Sequence, residues 1–150
     1  MNLFPQNPDA RLSPHFLRAE IQCRCCSKLL LDPLILVTLE WARKLAGDKP
    51  IFVNSGYRCS PHNEAVGGES NSTHTHGQAV DVYHEDFEEL VQAALQLPYV
   101  RGLIVHVEPE PRACFVHLDC GTLRRVWGWI GRTKTSAPDA MRQWRKQQEG

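Results

Sequence analysis

Three side chains of the sequence have the types and the spacing of a divalent-metal site. His74 and Asp81 are seven residues apart and flank a turn at Gly77, so a loop histidine can fold back over a carboxylate on the next strand. His117 lies in a later apolar segment and completes a set of two imidazoles and one carboxylate if the two strands pair. Catalytic zinc takes three protein ligands and keeps its fourth position open. Such an ion can polarise a carbonyl and activate water, as peptide-bond hydrolysis requires.

Two segments have the apolar period of a helix and are expected to support these residues. The first begins at the Asp32–Pro33 pair, a capping residue followed by a first-turn proline, and ends at Gly47. Its apolar residues at helical spacing are predicted to face the core: Leu34, Val37, Trp41 and Leu45. The second helix is predicted over residues 87–95, where an apolar stripe again recurs every three to four residues.

Five short apolar segments predict β-strands, at residues 51–53, 79–83, 102–107, 114–119 and 124–130. Residues 60–77 form a long polar loop, and loops of this length more often carry function than not. Residues 131–150 are polar and are predicted as a loosely held tail, with a short helix near 141–146, beyond a domain that spans residues 1–130. The mixture predicts an α+β fold with a small antiparallel sheet flanked by helices.

The composition excludes several other classes of protein. The chain has 150 residues, with 17 lysines and arginines against 17 aspartates and glutamates, whereas a dedicated nucleic-acid binder needs a positive surplus. Hydrophobic residues at 42% and charged residues at 23% exclude disorder for most of the chain. No apolar stretch approaches the roughly 18 residues of a membrane span. The start has no basic region followed by an apolar core, so no signal peptide is predicted.

The six cysteines leave two interpretations open. Without a signal peptide, reduced thiols that pack as small hydrophobic side chains are favoured. Alternatively, Cys23, Cys25 and Cys26 could hold a structural zinc ion with Cys59 as the fourth ligand, or form a disulfide. The usual C-x-x-C spacing is absent, and adjacent cysteines chelate one ion poorly. Their redox state is therefore not fixed by the sequence.

Residues 72–81 match a known family signature at every fixed position. They read Ser-Thr-His-Thr-His-Gly-Gln-Ala-Val-Asp and fit S-x-H-x-x-G-x-A-x-D. This pattern resembles the signature of the zinc D-alanyl-D-alanine carboxypeptidase superfamily, which includes vancomycin-resistance dipeptidases, phage endolysins and the hedgehog signalling domain. The resemblance covers about residues 13–130. It extends to further segments in the family's order: Ser13–Phe16 to Cys23, Ser55-Gly-Tyr-Arg58 with Asn63, Phe115-Val-His117-Leu-Asp119, and Arg124 to Trp127.

The resemblance implies a hedgehog-like or D,D-peptidase-like fold with one Zn²⁺ per chain. Its ligands would be His74, Asp81 and His117. His76 is the chief rival of His74, but the register of the motif and the turn glycine favour His74.

The same resemblance implies roles for residues around the ion. Arg58 would engage a substrate carboxylate or the developing oxyanion, for which its guanidinium fork is suited, and Ser72 would join it in binding the substrate. Asp119 is expected to support the last histidine rather than to bind the metal. His62 and His106 are expected to be bystanders.

The catalytic base is not assigned by the motif. Many catalytic members have an acid three residues before the last histidine, and this chain has Cys114 there. A thiol cannot easily accept and return the proton, and an odd offset along a strand points it away from His117. Glu110, and after it Glu108, are the candidates, because a flexible turn could bring either to the metal. The alternative is that both are solvated turn carboxylates.

These features predict a zinc-dependent peptidase that hydrolyses an amide bond in peptidoglycan stem or cross-link peptides, as a D,D-carboxypeptidase or an endopeptidase. The expected partners are bacterial peptidoglycan peptides, without nucleic acid or membrane insertion, and a monomer is expected. A phage origin would explain the absent export signal, because a holin can release the enzyme to the cell wall. The alternative is a catalytically weak or inactive zinc-binding module that binds wall peptide or a phage structural partner.

Overall fold

The structure, a computed structural model, describes residues 3–150. Its strands are β1 (Arg11–Ser13), β2 (Phe16–Leu17), β3 (Phe52–Ser55), β4 (Ala79–Tyr83), β5 (Gly102–Val107), β6 (Phe115–Asp119), β7 (Arg125–Ile130) and β8 (Thr133–Thr135). Its α-helices are α1 (Arg18–Ile21), α2 (Pro33–Leu45), α3 (Ser60–Ala65), α4 (Phe87–Leu95) and α5 (Ala137–Glu149). Two 3₁₀ helices span Thr73–His76 and Pro111–Ala113. The α+β class predicted from the sequence is confirmed.

Six strands form a mixed sheet in the order β3-β4-β6-β5-β7-β8, while β1 and β2 form a separate pair. Neighbouring strands of the large sheet are antiparallel except β5 and β7, which run parallel, so the prediction of a small antiparallel sheet is wrong. The cause is the position of β6, which runs back along β5 until Asp119 pairs with Gly102. The chain then starts β7 beside the same glycine and runs in the direction of β5.

Alternation along the central strands separates a core face from a polar face. Val80 and Val82 on β4, with Val116 and Leu118 on β6, are fully buried in the core that α2, α4 and α5 cover. Because neighbouring residues of a strand point to opposite faces, the residues between these four lie on the other side of the sheet. Asp81 and His117 are among them, so the apolar core fixes where the polar side chains project.

Helix α2 has the predicted bounds but buries a different face. The Asp32 carboxylate accepts a hydrogen bond from the Leu34 backbone N–H and caps the helix, as its sequence indicates. The residues predicted to face the core are instead 37% to 47% exposed: Leu34, Val37, Trp41 and Leu45. The buried residues are Ile35, Leu36, Thr38, Leu39 and Ala42. The helix is apolar on two sides, so spacing alone could not select the side that packs.

The segment predicted as a polar loop, residues 60–77, contains helix α3 and the first 3₁₀ helix. Neither element has a wide apolar stripe, since Asn63 is the buried residue of α3 and His74 that of the 3₁₀ helix. A side-chain cap stabilises the 3₁₀ helix, whereas α3 has none. The Ser72 hydroxyl accepts a hydrogen bond from the His74 backbone N–H at 3.3 Å. Apolar periodicity could not detect such helices.

The last twenty residues pack onto the sheet, in contrast to the predicted loosely held tail. Strand β8 pairs with β7, and α5 packs against β5 and β7. Ala137, Ala140 and Met141 of α5 are buried in the core. A side chain at Gly128 on β7 would collide with Ala140, so this glycine lets the helix approach the strand closely. Within residues 3–150, every helix is too short or too polar to cross a membrane.

Candidate metal centre

His74, Asp81 and His117 converge on one point at the polar face of the sheet. His74 Nε2 lies 3.2 Å from Asp81 Oδ1 and 3.2 Å from His117 Nδ1, and His117 Nδ1 lies 3.0 Å from Asp81 Oδ1. Asp81 and His117 are direct partners across β4 and β6. The sheet register therefore sets two members of the trio, and the 3₁₀ helix supplies the third.

The position of His74 depends on a tight turn. The 3₁₀ helix that carries it ends at Gly77, which has a φ of 69° and therefore occupies the left-handed region that favours glycine. A side chain at Gly77 would also collide with the Leu30 backbone. His74 Nδ1 lies 2.7 Å from the Gly56 carbonyl oxygen, to which it donates a hydrogen bond. This bond orients the ring and leaves the lone pair of Nε2 directed at the centre.

His117 is oriented in the same manner by a carboxylate. Its Nε2 lies 2.9 Å from Asp119 Oδ2, and the same oxygen accepts a hydrogen bond from Arg125 at 2.7 Å. The other oxygen of Asp119 accepts from the Gly121 backbone N–H. A side chain at Gly102, the cross-strand neighbour, would occupy the place of this carboxylate. Asp119 therefore holds the His117 ring by its far nitrogen, which leaves Nδ1 free for the centre.

The donor set fits a zinc ion. Ligands of a tetrahedral zinc ion at about 2.0–2.1 Å are about 3.3 Å apart, close to the three distances observed here. With protons on the outer ring nitrogens of His74 and His117, two lone pairs and one carboxylate oxygen face each other without a hydrogen atom between them. A proton or a metal ion relieves the repulsion between these lone pairs, and imidazole and carboxylate are ligands that zinc accepts. The trio could therefore hold Zn²⁺.

The electrostatics of the trio also favour a cation. Burial tends to raise the pKa of Asp81, but its hydrogen bonds with His117 and His74 hold that pKa well below its usual range. Burial tends to lower the pKa of His117, yet its bonds to Asp119 and Asp81 outweigh this and raise it to about 8. A metal ion must displace that proton, so metal affinity is expected to fall as the pH falls.

A cavity of about 620 Å³ opens onto the trio. Its sheet side is aromatic, with contributions from His106, Phe115, Trp127 and Trp129. The segment that joins α3 to the 3₁₀ helix contributes residues 66–69, 71 and 72, and the 3₁₀ helix contributes Thr73. A metal ion at the trio would thus face a cleft with one aromatic side and one polar loop.

Arg58 and Ser72, to which the resemblance assigns substrate binding, both line this cavity. The Arg58 guanidinium lies 3.5 Å from Asp81 Oδ2 and donates a hydrogen bond to Asn63 Oδ1 at 3.2 Å. Its Nε is buried, and no acceptor for it occurs among residues 3–150. The guanidinium is therefore held beside the trio, and it has donor capacity to spare.

The structure does not bring Glu110 or Glu108 to the centre, and neither lines the cavity. Glu108 is four residues beyond Ile104, the partner of His117 on β5, which is roughly 13 Å along the strand. The turn that carries both is held away, because the Glu108 backbone carbonyl accepts from Gln147 of α5. The solvated-turn interpretation fits their placement. Cys114 is buried in the core, and its sulfur accepts a hydrogen bond from the Glu108 backbone N–H.

The remaining histidines are distributed differently from the sequence-based expectation. His76, the rival ligand, is exposed and hydrogen-bonded to Asn71 rather than directed at the trio. His62 and His106, expected to be bystanders, both line the cavity. The His106 ring stacks on Phe115 with 4.1 Å between ring centroids, and burial lowers its pKa to about 4. Strand alternation could have indicated His106, because it lies two residues from the partner of His117.

Two comparisons with known proteins place this geometry in context. Residues 14–119 match the Peptidase M15 family. A stretch of 58 residues is 47% identical to the zinc D-Ala-D-Ala carboxypeptidase of Streptomyces albus G, over 37% of this chain and 23% of that protein. The similarity thus spans about a quarter of the length of that curated relative. Because the family match covers more than half of the chain and includes all three converging side chains, the chain belongs to the Peptidase M15 family.

Proposed function

We propose that this chain is a zinc-dependent peptidase that hydrolyses an amide bond in the stem or cross-link peptides of peptidoglycan. The observation that carries the proposal is the meeting of His74, Asp81 and His117 at an open cavity, with their donor atoms 3.0 to 3.2 Å apart. Three ligands at a cavity are typical of a catalytic site, whereas structural zinc is enclosed by four. Membership of Peptidase M15 supports the reaction class.

The trio would hold Zn²⁺, which supplies Lewis acidity toward a peptide carbonyl and activates water. The protein's own contribution is orientation. The Gly56 carbonyl and the Asp119 carboxylate each fix one imidazole, so neither ring has to reorganise when the ion binds.

The free donors of the cavity support recognition of a carboxylate or carbonyl group. Buried nitrogens of Arg58, Arg125 and Trp127 have no acceptor among the described residues, and all three side chains line the cavity. A guanidinium that lines the cavity can bind a substrate carboxylate through two parallel hydrogen bonds. This favours a substrate with a free carboxyl end, as in a D,D-carboxypeptidase, the activity named in the Streptomyces relative.

Glu69 and His106 are the groups proposed to handle the proton in place of Glu110 and Glu108. Besides Asp81, Glu69 is the one carboxylate among the described residues that line the cavity. His106 has a neutral ring at pH 7, because burial lowers its pKa to about 4. Separate Glu69→Gln and His106→Asn variants identify the base by a loss in kcat of about 100-fold or more. Glu110→Gln is the matched control and should leave kcat unchanged.

The function is tested by incubating the zinc-loaded protein with a stem peptide that ends in D-Ala-D-Ala and with cross-linked muropeptides. We expect release of D-alanine or of uncross-linked peptide, detected by mass spectrometry, and loss of release with EDTA. His74→Ala should abolish the reaction, while His76→Ala, two residues away on the same 3₁₀ helix and outside the cavity lining, should retain it. Intact substrates with zinc bound at the trio would refute the proposal.

A second candidate function is a zinc-binding module that holds wall peptide without cleaving it. The observation in its favour is the absence of a carboxylate at the position of Cys114, whose thiol is buried in the core. This function predicts saturable binding of the D-Ala-D-Ala peptide in calorimetry with no product after prolonged incubation. The digestion experiment therefore separates the two candidates.

A further inference from the structure

Four cysteine sulfurs form a second cluster, outside the cavity described above. The Sγ atoms of Cys23, Cys25, Cys26 and Cys59 all lie within 4.8 Å of one another. Three of the pairs are closer, with Cys23 Sγ 3.6 Å from both Cys25 Sγ and Cys59 Sγ, and 3.3 Å between Cys25 Sγ and Cys59 Sγ. All four residues are free thiols in the structure.

A tight turn overcomes the unfavourable spacing of these cysteines in the sequence. The Cys23 backbone N–H donates to the Lys28 carbonyl at 2.8 Å, and the Ser27 N–H donates to the Cys23 carbonyl at 2.9 Å. Ser27 has a φ of 59°, in the left-handed region. The turn folds the Cys25–Cys26 pair back toward Cys23. Adjacent cysteines chelate poorly on an extended chain, but this backbone directs both sulfurs to one point.

Cys59 reaches the turn from a separate segment of the chain. It precedes helix α3, and its backbone N–H donates to Cys23 Sγ at 3.4 Å. Amide hydrogen bonds to sulfur stabilise the thiolate form, which is the form that binds metals. The neighbouring Tyr57 N–H donates to the Ile21 carbonyl at 2.7 Å, so a backbone hydrogen bond also holds the two segments together beside the cluster.

The spacing of the sulfurs fits zinc. A tetrahedral zinc ion with four thiolates at about 2.3 Å has sulfurs about 3.8 Å apart, within the range spanned by this cluster. Four soft donors exclude magnesium and calcium, which prefer oxygen ligands. Four protein ligands leave no position for a substrate, as is usual for structural zinc. We propose that Cys23, Cys25, Cys26 and Cys59 bind a second, structural Zn²⁺ ion.

This ion would fasten the segment that carries part of the first centre. Cys59 directly follows Arg58, and the Gly56 carbonyl that orients His74 is three residues before it. Arg24, inside the cysteine turn, donates to the carbonyls of Asn54 and Val53 at the end of β3. A structural ion at the cysteines would therefore fix the distance between this turn and residues 53–59, and with it the position of the Arg58 guanidinium.

The proposal is tested by counting metal in the His74→Ala variant, from which the first centre has been removed. The full chain is loaded with Zn²⁺ under a phosphine reductant, freed of excess metal, and analysed by inductively coupled plasma mass spectrometry. We expect one zinc per chain in His74→Ala and none when Cys25→Ser is added. Cys120→Ser, at a partly buried cysteine outside the cluster, is the matched control and should keep the ion.

A second measurement needs no variant of the cluster. Cobalt(II) added to the reduced His74→Ala protein should produce the intense near-ultraviolet charge-transfer band of thiolate ligands and the visible bands of a tetrahedral ion. No zinc in His74→Ala together with no thiolate band would overturn the proposal. So would zinc that survives both Cys25→Ser and Cys59→Ser, or a disulfide within the cluster that persists under reductant. Because the first centre is absent from this protein, the outcome is independent of the peptidase proposal.

Discussion

The trio and the cysteine cluster bring potential metal ligands together in opposite ways. The trio joins nitrogen and oxygen donors, two of them fixed by paired strands, and faces a cavity of about 620 Å³. The cysteine cluster joins four sulfurs from a turn and the start of a helix, and none of these four residues lines the cavity. Ligand number and surroundings separate a site with an open position from a closed one. Their difference predicts chemistry at the first and stability at the second.

The largest expected effect is that of His74→Ala on peptide hydrolysis. Loss of a metal ligand removes several kcal/mol of transition-state stabilisation, or about 1,000-fold in kcat/KM. We expect this loss in kcat/KM to be large and the change in the Tm of the reduced protein to be small. Steady-state release of D-alanine, with His76→Ala as the control, measures this. If His74→Ala and His76→Ala lost equal shares of kcat/KM, the 3₁₀ helix would contribute to the fold and would not supply a metal ligand.

Arg58→Gln should reduce kcat/KM by about 100-fold, the usual cost of losing one donor to a developing oxyanion or substrate carboxylate. Zinc content should remain at the wild-type value, because the guanidinium contacts Asp81 only at 3.5 Å. Metal analysis beside kinetics separates these effects. If zinc were lost together with activity, Arg58 would be a support of the ligand set and not a substrate contact.

Asp119→Asn should weaken zinc binding at the trio by about 10- to 100-fold, since the amide cannot hold the His117 ring as the carboxylate does. Competition with a coloured chelator in the Cys25→Ser background measures this affinity without interference from the cysteine cluster. An unchanged affinity would mean that Arg125 and the Asp119 carboxylate serve only the fold.

Cys25→Ser reverses the pattern expected of His74→Ala. We expect Tm to fall by several degrees, because an ion that binds only the folded chain stabilises it, while kcat falls less than about 10-fold. Differential scanning calorimetry and D-alanine release, each with Cys120→Ser as control, give the two numbers. If Cys25→Ser left Tm unchanged and abolished turnover, the cysteine cluster and the trio would have to be treated as one functional unit.

The smallest expected effect concerns acid stability at the aromatic side of the cavity. Burial lowers the folded pKa of His106 from 6.5 to about 4, so the unfolded chain binds a proton below pH 6.5 that the folded chain takes up only near pH 4. Stability is therefore lost as the pH falls through this window. At pH 5 the loss is about 1 kcal/mol for this partly exposed ring, and His106→Asn should lack it. If urea unfolding showed that His106→Asn and the wild-type protein lose the same stability as the pH falls, the result would contradict this expectation.

The parts of the site set by local pattern could be predicted from the sequence. Strand β4 has the predicted bounds because alternation along residues 79–83 identifies both its faces, and the motif with Gly77 identifies the turn before it. His117 follows from the same alternation on β6. These residues converge because β4 and β6 pair directly, although α4 and β5 separate them along the chain.

Features that depend on distant packing could not be predicted. The apolar sides of α2 are equivalent in the sequence, and the sheet decides which of them is buried. The parallel β5–β7 pair follows from the insertion of β6 between β4 and β5. Glu108 and Glu110 are near His117 in sequence but not near its side chain, while Glu69 reaches the cavity from the other side of the motif. Two residues that are close in the sequence need not have side chains that reach the same point in the structure.

Anomalous diffraction from crystals of the zinc-loaded protein, recorded above and below the zinc absorption edge, would locate the ions. A difference peak about 2.0–2.1 Å from His74 Nε2, His117 Nδ1 and an oxygen of Asp81 is the predicted result. Ordered side chains at these three positions with no peak between them would contradict a metal centre there, whatever the map shows at the cysteines.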